Sequence, residues 1–140
     1  MNEQNYNHSD ITGIVIKAYY AVYNRLGYGF LERVYHNAML IELAKYDLNA
    51  KSEFPIEVFY EGKKVGMYFA DLIINDCVIV ELKASKTLEL AHEAQLTNYL
   101  RATFVEVGLL LNFGKSAEFK RKVHSMAYKE RDLYQERKAA

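Results

Sequence analysis

Along residues 11–26, ITGIVIKAYYAVYNRL, the positions Ile11, Ile14, Val15, Ala18, Val22 and Leu26 recur at helical spacing behind Ser9 or Asp10 as the N-cap. Gly27, Tyr28 and Gly29 break that helix, and a second is expected over about 30–46. There Leu31, Val34, Ala38, Ile41 and Ala44 form one stripe, with Glu32, Tyr35, Met39 and Leu43 beside it. From residue 53 to 60 the period shortens to two, with Phe54, Ile56, Val58 and Tyr60 on one face of a strand. Glu61 to Lys64 reads as a turn into a second strand over 65–74, and a third follows over 78–83. Links this short make the three strands an antiparallel meander. A helix over about 88–102 comes next, then Val105 to Leu111, apolar on both faces as in a strand covered by helices on both sides. The intervening helix permits the third and fourth strands to lie parallel through a right-handed crossover. The charged residues from about 118 to 138 read as a terminal helix. The expected class is therefore α/β (α+β): a mixed central β-sheet flanked by helices, in the order α-α-β-β-β-α-β-α, as one domain over residues 1–140.

Composition narrows the setting. A chain of 140 residues that is 51% apolar fits one domain and buries roughly two thirds of its unfolded surface. Cys77 is the only cysteine, which excludes an intrachain disulfide and suits a reducing compartment. The polar start MNEQNYNHSD lacks the apolar run of a signal peptide, and no apolar segment reaches the roughly 18 residues of a membrane span. A soluble cytoplasmic protein without membrane contact is expected. Lys and Arg equal Asp and Glu at 18 each, so bulk charge supplies no general attraction to nucleic acid. Any such contact must come from local charge and a bound metal. Lys120, Arg121 and Lys122 read as a solvated helix face, and the single proline, Pro55, favours an edge position for the first strand. His92 has no second histidine or cysteine at metal-ligand spacing, which disfavours zinc, and His8, His36 and His124 belong to no recognisable pattern. No glycine-rich phosphate loop is present, which disfavours nucleotide hydrolysis.

The stretch YFADLIINDCVIVELK, residues 68–83, departs from ordinary strand composition. Asp71, Glu81 and Lys83 stand where a buried sheet should carry no charge, and burial of a charge is costly unless it is paired or bound to a metal. Glu81 and Lys83, two apart, share one face of their strand. Read without any relative, they form a same-face ion pair, Asp71 bonds to its own turn, and Glu32 complements a helix dipole.

The ordered set of motifs resembles the PD-(D/E)XK nuclease superfamily. Asp71 with Glu81-Leu82-Lys83 matches its name motif, except that Ala70 stands where that motif has proline. Gly29, Glu32 and Tyr35 match the signature of its GxxExxY subgroup, and Gln95 with Tyr99 is similar to the QxxxY motif of its RecB-type members. The resemblance covers roughly residues 10–124 and implies a restriction-endonuclease-like core. It further implies a Mg²⁺- or Mn²⁺-dependent nuclease acting on DNA, with Glu32, Asp71, Glu81 and Lys83 catalytic. Asp71 and Glu81 are the expected metal ligands, joined by the Leu82 carbonyl and by Glu32 directly or through water. Gln95, Tyr99 and Tyr35 are the expected substrate contacts; Tyr99 is equally a core aromatic with a bonded hydroxyl. The alternative is a non-catalytic module of the same fold that binds a protein or nucleic-acid partner, and a homo-oligomer is left open.

A shared metal sets a condition on strand register. A two-residue loop, Asn75-Asp76, would pair Ile74 with Cys77 and set Asp71 opposite Val80, turning it away from Glu81. A three-residue connection, Asn75-Asp76-Cys77, pairs Ile74 with Val78 and brings Asp71 opposite Glu81. The metal reading therefore requires the longer loop or an equivalent bulge.

Overall fold

The computed structural model describes residues 8–126. Its elements are α1 (Ser9–Leu26), α2 (Glu32–Ala44), β1 (Ala50–Tyr60), β2 (Lys63–Ile74), β3 (Val78–Lys83), α3 (Leu90–Ala102), β4 (Val107–Phe113) and β5 (Ala117–Val123). The five strands form one mixed sheet in the order β1-β2-β3-β4-β5, with only β3 and β4 parallel. The meander, the crossover through α3 and the edge position of Pro55 all stand as read.

Helices cover both faces. Leu72, Ile74, Val80 and Leu82 meet Val15 and Tyr19 of α1 and Tyr35 and Met39 of α2 on one side. Ile56, Ile73, Ile79 and Leu110 meet Leu96, Tyr99 and Leu100 of α3 on the other. All seven residues of β4 are buried, which is why its sequence shows no alternation. Gly108 admits α3 at close range: a Cβ there would lie 2.7 Å from Leu96 Cδ1.

The expected terminal helix is corrected over its first turns. Residues 117–123 are β5, paired antiparallel with β4 from Val107↔Val123 to Phe113↔Ala117, and the part of that helix from residue 127 onward lies outside the described residues. Phe119 packs against the α1-side core, while Lys120 and Arg121 are exposed. Charge on an edge strand discourages pairing with a further chain, and it disguised the strand as a charged helix.

The two hairpin turns of the meander use left-handed residues. Glu61 (φ 51°) and Gly62 (φ 79°) close β1 onto β2 in two residues. Asn75 (φ 51°) and Asp76 (φ 57°) begin a three-residue loop that ends in Cys77, whose N–H donates to Ile74 O at 2.9 Å. Asn and Asp tolerate this region better than most side chains. The resulting pairs are Ile74↔Val78, Ile73↔Ile79 and Leu72↔Val80, the register that the metal reading required. Among the described residues the β2–β3 ladder ends there, although β2 continues back to Lys63 beside β1.

Candidate functional site

Where the β2–β3 ladder stops, side chains take over its hydrogen bonds. The Asp71 N–H donates to Glu81 Oε2 at 2.8 Å, and the Leu82 N–H donates to Asp71 Oδ2 at 2.8 Å. The two carboxylates thus fill a fork between strands that would otherwise hold unpaired backbone groups. Opposite Asp71, Glu53 takes φ 55° between the pairs Ser52↔Leu72 and Phe54↔Ala70. Ala70 and Ile73, three apart, both join the α3-side cluster, so the strict alternation of β2 breaks between them. Asp71 lies inside that irregularity, the sort of local kink that re-aims a side chain beside a site.

Glu81 is 5% exposed. Burial, reinforced by the negative charge of Asp71, pushes its carboxyl up to about 8; the Asp71 N–H and Lys83 act in the opposite direction, and Glu32 adds to the rise. All four expected catalytic residues therefore lie within electrostatic reach of one carboxyl. A cavity of about 350 Å³ opens beside the fork on the α2 side, lined by Glu32, Arg33, His36, Glu53, Phe69, Ala70, Asp71 and Leu82. On the α3 side Lys83 Nζ donates to Gln95 Oε1 at 3.4 Å.

Glu32 is aimed by what precedes it. Gly27 (φ 67°) and Gly29 (φ 113°) fold the link into α2 through backbone conformations that other residues rarely adopt. The Tyr35 hydroxyl holds that fold closed, donating to Gly27 O at 2.7 Å and accepting from the Phe30 N–H at 3.1 Å. Tyr35 is fully buried and stacks on Phe113 with ring centroids 4.1 Å apart. It lines neither the cavity nor the fork, and its hydroxyl is taken up by the turn before α2. The glycine, glutamate and tyrosine of the motif are a turn, the carboxylate it presents, and the hydroxyl that locks it.

Gln95 and Tyr99 stand on one face of α3. Tyr99 is 6% exposed and belongs to the α3-side core, as its alternative reading allowed. Burial pushes its hydroxyl up to about 12, with the charges of Glu81 and Asp71 contributing. His92 closes a capping box at the start of α3, its Nδ1 accepting from the Glu89 N–H at 3.1 Å.

Several residues with a part in this geometry are not among the expected site residues. Arg33, His36 and Glu53 enter the cavity, and His36 Nε2 lies 2.9 Å from Ser52 Oγ. Asn112 pairs with Lys83 across β3 and β4. Its fully buried amide clamps Ser85, accepting from Ser85 N–H and donating to Ser85 O, each at 2.9 Å. The clamp fixes the chain two residues beyond Lys83. Tyr19 donates to Asn112 O and accepts from the Glu118 N–H at 2.9 Å, tying α1 to the same place. A lone asparagine inside the apolar run VGLLLNF was the available clue, since a buried amide must find partners.

Among the described residues no three His, Cys, Asp or Glu side chains gather into a ligand cluster. Two adjacent carboxylates supply oxygen donors of the kind that hard divalent cations take while keeping several waters.

The model of the PD-(D/E)XK nuclease superfamily matches residues 9–124. No curated protein matches the chain at a significant level. Among solved structures, the crystal structure of SSO0001 is similar at a TM-score of 0.51 and 24% identity, over 67% of this chain and 50% of that one. The chain spans about half the length of that protein, and the likeness is one of fold. No helix among the described residues is long and apolar enough to cross a membrane.

Proposed function

The chain belongs to the PD-(D/E)XK nuclease superfamily, and from that premise we propose that it is a metal-dependent nuclease that hydrolyses phosphodiester bonds in DNA. Gly29, Glu32 and Tyr35, now legible as turn, carboxylate and lock, support placing it in the GxxExxY subgroup. The observation that carries the nuclease reading is the fork: Asp71 and Glu81 interlock through two backbone N–H groups beside a cavity that Asp71 lines together with Glu32 and Leu82. Holding two carboxylates this close, one of them buried, is costly unless a cation compensates them.

A bound Mg²⁺ or Mn²⁺ would supply charge neutralisation at the phosphate and an activated water. Asp71 and Glu81 would hold it, with the Leu82 carbonyl and Glu32. Negative charge grows on the phosphate oxygens as water adds, and the Lys83 ammonium, steadied by Gln95, stabilises that charge or orients the water. Asn112 and Ser85 keep the backbone beyond Lys83 fixed, so the ammonium need not be ordered during the reaction.

The test is degradation of a mixed panel of DNA and RNA with Mg²⁺, with Mn²⁺ and with EDTA, using Glu81→Ala as control. Metal-dependent loss of DNA that Glu81→Ala lacks is expected. A wild-type protein that binds the panel and cuts none of it supports the non-catalytic reading instead.

A further inference from the structure

A second cavity, of about 470 Å³, lies between α3 and the β1–β2 ribbon. Its volume falls in the range of small-ligand sites, roughly 300–1,000 Å³. Ile56 and Val58 give it an apolar floor, Ala94 keeps the α3 wall low, and Tyr68 and Tyr99 stand in it with ring centroids 5.9 Å apart. Tyr68 is 51% exposed, a large ring left half in water at the mouth of a cavity. Polar groups line the same cavity. Gln95 Oε1 accepts from Lys83 and Asn98 Oδ1 accepts from Arg101 Nη1 at 3.0 Å, so the amide nitrogens of both remain as donors for an incoming acceptor. Arg101 adds a cation.

Gln95 belongs to both places. It lines this cavity and takes the hydrogen bond of Lys83, whose charge acts on Glu81. A ligand filling the cavity is therefore next to the fork. Aromatic platforms with amide and guanidinium donors are what hold bases in single-stranded recognition, since every base has a π-face and edge acceptors.

We propose that this cavity takes one unpaired nucleobase of the strand whose phosphate lies at the Asp71–Glu81 fork. The inference rests on the nuclease reading of that fork and adds a substrate class to it. Bases inside a duplex are stacked and paired, and none can enter a cavity without leaving the stack. The substrate is thus a single strand, a frayed end or an extruded nucleotide.

Binding of a fluorescent single-stranded DNA oligonucleotide in EDTA, followed by anisotropy, reads the cavity without any cleavage. The comparison strand has the same length and backbone but carries abasic sites. Wild type is expected to bind the intact strand about tenfold more tightly than the abasic one, the size of one aromatic–base stack. Ala94→Phe, which fills the cavity from an exposed helix position, and Tyr68→Ala, at a half-exposed strand position, are each expected to remove that difference and leave abasic binding unchanged. Circular dichroism melts of both variants check the fold. Equal binding of the two strands by wild type overturns the proposal and leaves the cavity to an apolar side chain of a protein partner; so does full discrimination by both variants. Base-dependent binding in a protein that cuts nothing with Mg²⁺ upholds the base site and overturns only the nuclease reading. Cleavage indifferent to abasic substitution and to both variants overturns the base site alone.

Discussion

The Asp71 N–H donates to Glu81 Oε2 at 2.8 Å, and one residue past Glu81 the Leu82 N–H donates to Asp71 Oδ2 at the same distance. Each acidic residue thereby helps to hold the strand that carries the other. Chemistry and cohesion meet in one pair of side chains, and the consequences can be measured separately.

The metal-free protein should lose stability as pH rises. The Glu81 carboxyl is pushed from an ordinary 4.5 up to about 8, chiefly by burial, so the folded state holds this proton more tightly than the unfolded one. Stability from that proton is complete below about pH 4.5 and is lost as pH rises through 8, a change on the order of 5 kcal/mol. Urea denaturation in EDTA at pH 5 and pH 9 measures it. Glu81→Gln, which cannot ionise, should flatten the difference; an equal slope in both proteins would assign the titration elsewhere.

Mg²⁺ or Mn²⁺ should raise the melting temperature of the wild type and leave Asp71→Ala unmoved. At about 100 times the dissociation constant a ligand of the native state contributes about 2.7 kcal/mol. Uptake at neutral pH should also release a proton from Glu81, visible as a buffer-dependent heat in calorimetry. Matching thermal shifts in the two proteins would remove Asp71 from the ligand set.

Lys83→Met should keep the fold and lose cleavage by about 10²–10³, the usual scale for removing one charge-stabilising group from a site. Its hydrogen bond to Gln95 is long, at 3.4 Å, and methionine preserves the stem, so stability should change by less than about 1 kcal/mol. Turnover at the wild-type rate would make Lys83 a surface partner of Glu81.

Tyr35→Phe should cost about 1–2 kcal/mol, because one hydroxyl satisfies Gly27 O and the Phe30 N–H in a buried place. Activity should fall with it, since Glu32 follows the turn that the hydroxyl closes. Denaturant midpoints and initial rates on the same preparation test both halves. Undiminished stability would mean that the glycines alone hold the turn.

How much of this was legible in the chain follows from which forces act locally. The loop Asn75-Asp76-Cys77 and the pairing of Ile74 with Val78 could be read because a site that needs Asp71 near Glu81 permits only one register. The crossover through α3 followed from segment lengths and from the uninterrupted apolar run of β4. β5 was misread because Lys120, Arg121 and Lys122 suggest a solvated helix, whereas pairing with β4 decides the matter and leaves no local mark. Tyr35 kept the right spacing, but spacing does not separate a hydroxyl turned inward, as here, from one facing a ligand. Glu53 and His36 reach the cavity through a kink in β1 and a helix face set by packing, neither of which is encoded near them in sequence.

The end of the β2–β3 ladder at Leu72 also has a mechanical meaning. From Phe54 to Ala70 the β1–β2 ribbon continues with no third strand beside it among the described residues, rooted at the fork where Glu53 and Asp71 already depart from regular geometry. Phe69 and Tyr68 are consecutive on this arm and line different cavities, so any displacement of the arm across the plane of the sheet would narrow one mouth and widen the other.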